Sequence, residues 1–190
     1  MEADWSVEIG PDLPVIEADW EGYVDLCSDP GNAASLPEVA ELPALAAALR
    51  MLNGPGSPLL TSKCDVWPLD PAEVDPDEFG AVRGACGVGL GLYVDVVARD
   101  RQWFASFEAH EAWARAAVAL LREKAVPNGR TDLVIRAAEQ RGMGGFGLTL
   151  YAAGCGADAA QARVATGAVL AAAAVTMLET TPPRARSSIG

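Results

Sequence analysis

Two runs of alternating apolar residues, joined by a glycine-rich turn and followed at once by a long alanine-rich segment, constrain this chain more than any other feature. Leu133, Ile135 and Ala137 alternate with Val134, Arg136 and Ala138, while Phe146, Leu148, Leu150 and Ala152 alternate with Gly147, Thr149, Tyr151 and Ala153. A period of two is what a half-buried strand requires, because successive side chains leave opposite faces of the backbone. Between the runs, Arg141-Gly142-Met143-Gly144-Gly145 supplies residues able to adopt positive φ, so the pair reads as a hairpin. Asp158, with Gln161 three residues on, has capping-box spacing and opens a helix that runs to about Leu178.

The rest of the chain supplies comparable units. Val88, Leu90, Leu92, Val94, Val96 and Ala98 alternate with Gly89, Gly91, Tyr93, Asp95, Val97 and Arg99, and a shorter run from Leu60 to Val66 stops at Pro68. Loose alternation of Trp20, Val24 and Leu26 with Tyr23 and Asp25 gives a first strand within Val15 to Cys27. A helix is expected from Ser35 to Asn53, carried by Leu42, Leu45, Leu49 and Leu52, with Pro43 kinking or restarting it. A second is expected after Ser106, with the stripe Phe107, His110, Trp113, Ala117, Leu120 and Leu121.

The order strand, helix, strand, strand, helix, strand matches the βαββαβ order of a ferredoxin-like core. The last strand and helix would extend it by one edge strand and a C-terminal covering helix. The fold class expected is therefore α+β, an antiparallel-rich sheet with helices on one face. Residues 1–14 are expected as an acidic surface arm, 15–179 as one domain and 180–190 as a flexible tail. The acidic, proline-rich stretch Leu69 to Gly87 has no period and is expected to be mobile.

Composition narrows function by exclusion. A formal charge of −12, with Lys63 and Lys124 the only lysines, disfavours nucleic acid and anionic membranes as partners. Met1-Glu2-Ala3-Asp4-Trp5 begins no signal peptide, which suggests a cytoplasmic protein in which disulfides are not expected. Cys27, Cys64, Cys86 and Cys155 show no metal-ligand spacing, so no metal is expected. No cofactor is expected either. Gly142-Met143-Gly144-Gly145-Phe146-Gly147 matches G-x-G-x-x-G but joins two strands, and the G-x-G-x-x-A stretch Gly154 to Ala159 is followed by too little chain for the strand that would bind ribose.

Three site candidates remain. Cys155 lies just before a helix N-terminus, where a thiol can be activated, though a small apolar residue in a tight turn is the plainer reading. His110, the only histidine, falls on an apolar stripe, which suits a core-edge histidine better than a catalytic one. The third candidate emerges when the strands are aligned. The face away from the helices would collect Lys63, Asp65, Trp67, Tyr93, Asp95, Arg99, Arg136, Thr149 and Tyr151. Aromatic rings interleaved with acids and bases on a rigid sheet suit a subunit interface or a polar ligand cleft. The expectation is a homo-oligomeric binding or accessory protein, a homodimer, using that face for assembly or for a small-molecule ligand. The alternative is a small enzyme built on Asp65, Asp95 and Arg136, with His110 or Cys155 reaching the same cleft.

Overall fold

A computed structural model of the protein describes residues 1–10, 16–18, 22–82 and 84–181. Its elements are β1 (Glu2–Glu8), β2 (Ile16–Ala18), α1 (Pro37–Glu41), α2 (Ala44–Asn53), β3 (Leu59–Pro68) and β4 (Val88–Ala98), then α3 (Arg101–Ala105), α4 (Phe107–Glu123), β5 (Gly129–Gln140), β6 (Met143–Gly156) and α5 (Ala159–Glu179). The sheet runs β1-β5-β6-β4-β3, with β2 also on β5. β1 and β2 are parallel to β5, and the other pairs are antiparallel.

The architecture is thus α+β, as the alternation implied, but its strand order differs from the ferredoxin-like one, in which the first strand lies centrally. Here β6, expected at an edge, is central. The turn to β5 is only two residues, Arg141 and Gly142, both at positive φ, so β6 must lie alongside β5. Its other edge then pairs with β4 from Val88↔Gly156 to Val97↔Gly147. Gly144 and Gly145, expected in the turn, belong to β6.

The expected N-terminal arm is also corrected, since residues 2–8 form β1. Ala3, Trp5 and Val7 align with Thr131, Leu133 and Ile135 on the helix side, and Glu2, Asp4, Ser6 and Glu8 take the opposite face. The period of two was present but its polar half is mostly acidic. Residues 11–14 of that arm, residues 15 and 19–21 of the expected first strand, and 182–190 of the expected tail lie outside the described residues.

One face is covered by α2, α4 and α5. Trp113 Nε1 donates to the Met177 carbonyl at 3.0 Å, which locks α4 to α5, and Phe107 meets Phe146 of the sheet edge-on at 5.5 Å. α5 is long and apolar enough to cross a membrane by length and composition, yet Leu170, Ala173, Ala174 and Met177 are buried in the core, so it is a packed core helix. Helix starts follow local chemistry. Ser106 accepts from the Ala109 N–H and Asp158 from the Gln161 N–H. Pro43 divides the expected 35–53 helix into α1 and α2. Ser35, where that helix was expected to start, instead donates to the Asn32 carbonyl.

The opposite face curls. Two residues of β3, Ser62 and Lys63, stand opposite Asp95 of β4, a bulge that bends the strand. The Ser62 hydroxyl donates to the Glu17 carbonyl and Lys63 Nζ lies 3.8 Å from the Glu17 carboxylate. The two outer strands therefore meet across this face at one end. Ile16 fits there because residue 147 is glycine, where a Cβ would lie 2.9 Å from Ile16 Cδ1.

The other end is covered by the acidic stretch. Short 3-10 turns occupy Pro71–Glu73 and Pro76–Phe79, each started by an aspartate, Asp70 and Asp75, that caps its first N–H groups. Phe79 is fully buried against Ala153 and Cys155, with Leu69 and Val74 packed on the same cluster. Cys86 and Cys155 form a disulfide, their Cα atoms 5.2 Å apart. This corrects two expectations, a mobile acidic loop and the absence of disulfides. A single phenylalanine and a distant cysteine anchor a segment whose own pattern shows no period.

A polar cleft on the curved sheet face as candidate functional site

Between the two covered ends, the register of five strands stacks side chains into rows across the sheet. One row is Asp65, Tyr93, Tyr151, Asp132 and Asp4. Beside it stand Asp95, Thr149, Val134 and Ser6, and beyond them Val97, Gly147, Arg136 and Glu8. On the far side Trp67 stands opposite Gly91, whose missing side chain leaves room for the indole and for Leu69. Trp67, Tyr93 and Tyr151 make a continuous aromatic row, with centroids 6.3 and 6.2 Å apart and planes tilted by 47° and 52°.

Asp95 is the most deeply set charge of the cleft, only 3% exposed. Thr149 Oγ1 donates to its Oδ1 at 2.6 Å, the carboxyl's one hydrogen bond among the described residues. Burial pushes its pKa up to about 6, against the opposing pull of the Thr149 bond and of Arg136 and Lys63. Arg136 Nη2 lies 2.6 Å from the Glu8 carboxylate and donates to the Tyr151 hydroxyl at 3.2 Å, while its Nε is buried without a partner among the described residues. The guanidinium also sits over the Tyr151 ring, 5.8 Å from its centroid. Burial likewise raises the pKa of Tyr93, helped by Asp95 and Asp65, and that of Asp132. A cavity of about 110 Å3 opens against Trp67, Tyr151, Arg130 and Asp132. Arg130 is held there by Glu78 and by the Phe79 ring of the acidic segment.

The structure therefore brings together Asp65, Trp67, Tyr93, Asp95, Arg136, Thr149 and Tyr151. It does not add Arg99, which the same alternation would place on that face. Arg99 lies just past the end of β4 and turns away, donating to the carbonyls of Leu59 and Asn53 at 2.7 Å each, where it closes the C-terminal end of α2.

His110 and Cys155 do not reach this cleft. His110 is buried on the helix side between Trp103, Trp113 and Phe146, its Nδ1 2.9 Å from the Ser106 carbonyl and its pKa lowered by burial. The sheet separates it from Asp95. Cys155 is half of a disulfide and has no thiol to activate. Among the described residues, no three His, Cys, Asp or Glu side chains are arranged to hold a metal ion.

Sequence reasoning missed Asp132 and Asp4. Extending the β5 alternation two residues upstream of Val134 would have found Asp132, whereas Asp4 needed the pairing of β1. Comparison with protein-family models, with curated proteins and with solved structures finds no match.

Proposed function

We propose that the protein is a binding protein whose curved sheet face takes a small, polar, ring-bearing molecule. The observation that carries this reading is Asp95, a buried carboxyl hydrogen-bonded to Thr149 and set beside an aromatic row on a face closed at both ends. The rings offer apolar surface for a flat ligand. Asp95, Asp65 and Asp132 offer acceptors and Arg136 offers donors, so charge of both signs favours a neutral or zwitterionic molecule over a simple ion. A homodimer seated on the rim of this face, leaving the ligand site at the interface, belongs to the same proposal, because the half-buried aromatic row gives a second copy something to cover.

An NMR screen with a library of polyhydroxylated and heterocyclic ring compounds tests the reading. Shifts confined to Trp67, Tyr93, Asp95, Thr149 and Tyr151 are expected. Hits scattered over the surface, or none, would count against it. Sedimentation equilibrium tests the dimer, which Trp67→Ala should weaken. A wild type that stays monomeric removes that part.

A second reading has one observation in its favour. A carboxyl whose pKa is about 6 exchanges a proton near neutrality, as a general acid or base must. Turnover of a bound compound, with an apparent pKa near 6 that Asp95→Asn abolishes, would put an enzyme first; binding without turnover would not. The disulfide also bears on location, since such bonds persist in oxidising compartments and fit them better than a cytoplasmic setting.

A further inference from the structure

We propose that a second cavity, at the outer edge of β3, is a binding site for an uncharged apolar molecule of two or three rings. The cavity encloses about 510 Å3 between the β3 bulge, α1, α2 and residues 22–26. Val24, Leu26, Leu36, Pro37, Leu49 and Cys64 supply its apolar lining. That volume lies within the range of small-molecule sites, and a dry apolar cavity of about 150 Å3 already holds one benzene ring. The ring count follows from that ratio.

The walls are preformed, because Asn53 ties α2 to β3. Its Nδ2 donates to Thr61 Oγ1 at 2.8 Å and to the Leu49 carbonyl at 2.8 Å, and its Oδ1 accepts from the Thr61 N–H at 2.9 Å. The same bonds decide the ligand's charge. They use the hydroxyl and N–H of Thr61, so the donors of that residue are already taken, and an ionised group set against Val24, Leu26, Leu36 and Leu49 would be desolvated without compensation. Cys64 adds none, since burial pushes its thiol up to about 12 and keeps it neutral.

The polar side chains of the lining are Glu38, Thr61, Ser62, Lys63 and Tyr93. Lys63 lies near Glu17, and Ser62 donates to the Glu17 carbonyl. Tyr93 lines this cavity and also belongs to the aromatic row of the sheet face. An occupant would therefore press on a residue of the polar cleft, although the two sites have separate floors and different chemistry.

Two dyes with one ring body separate the outcomes: neutral N-phenylnaphthylamine, and anilinonaphthalene sulfonate, which adds a fixed negative charge. The neutral dye should brighten and saturate at one molecule per chain, with the sulfonate weaker by about tenfold or more. Val24→Trp fills the cavity from a partly exposed wall position and should weaken the neutral dye by a similar factor, with unchanged circular dichroism. Leu36→Trp is the second filling variant if the first fails to fold. Val164→Ser, at a valine 74% exposed on α5, should leave binding as in the wild type. The proposal is overturned if the neutral dye does not saturate, if the sulfonate binds equally well, or if neither filling variant alters binding.

Discussion

At the scale of single residues, Asp95 opposes the stability of the fold that holds it. Its folded pKa, about 6, lies above the ordinary value of 3.8, so between those pH values the native state binds more protons than the unfolded chain. The stability it contributes is full below about pH 3.8 and is lost as pH rises through about 6. The shift corresponds to at most about 3 kcal/mol. Asp95→Asn keeps an oxygen to accept from Thr149 and removes the charge. It should raise stability at pH 8 by about 1–3 kcal/mol, with little difference at pH 4, in denaturant titrations at both pH values. A variant less stable than wild type at pH 8 would mean that Asp95 is held by a partner worth more than its burial costs. Arg136→Ala should cost about 1–2 kcal/mol in the same titrations, because it removes a bond to Tyr151 and a ring contact, while Glu8 is exposed enough to be solvated once its partner is gone. A loss below about 0.5 kcal/mol would show that the guanidinium is not part of the cleft's framework. Most of this face was legible in the sequence, since alternation alone set Asp65, Tyr93, Asp95, Arg136 and Tyr151 on one side. Arg99 was misplaced because alternation ends where the strand ends, and the carbonyls at the close of α2 outbid the sheet face.

At the scale of elements, long regular units were readable and irregular ones were not. The β4 run, the α4 stripe and the β5–β6 hairpin announce themselves through periods of 2 and 3.6, whereas the segment comprising residues 69–82 and 84–87 is fixed by contacts that no local pattern encodes. Its order rests on Phe79, on Asp70 and Asp75 as caps, and on the Cys86–Cys155 bond, which joins positions 69 residues apart. Two outcomes follow from that anchoring. Denatured, unreduced protein treated with an alkylating agent should be labelled at Cys27 and Cys64 and spared at Cys86 and Cys155. Labelling at all four would show the bond does not form. Cys86→Ser should cost about 2–4 kcal/mol and make 69–87 the first site of limited proteolysis, since loop closure and the Phe79 seat weaken together. Equal resistance in variant and wild type would assign the anchoring to Phe79 alone.

At the scale of the whole molecule, the class α+β could be read from the order of elements, but the strand order could not. Pairing between strands far apart in sequence is decided by which edges remain free once the tight hairpin has formed. That competition placed β6 at the centre and drew residues 2–8 onto the edge of β5. The curl follows from a bulge at Ser62 and Lys63 and from a glycine at 147, two local irregularities with a global effect. Together they turn a flat polar face into a cleft and bury a carboxyl that would otherwise be solvated. Enclosure of this face and titration of Asp95 inside it stand or fall together. Carbon-detected NMR titration of the Asp95 side-chain carboxyl measures this directly. A midpoint near pH 6, with the resonances of Thr149, Tyr93 and Tyr151 moving at the same pH, is the predicted result. A midpoint at the ordinary value of 3.8 would mean an open, solvated sheet face on which Asp95 is not enclosed.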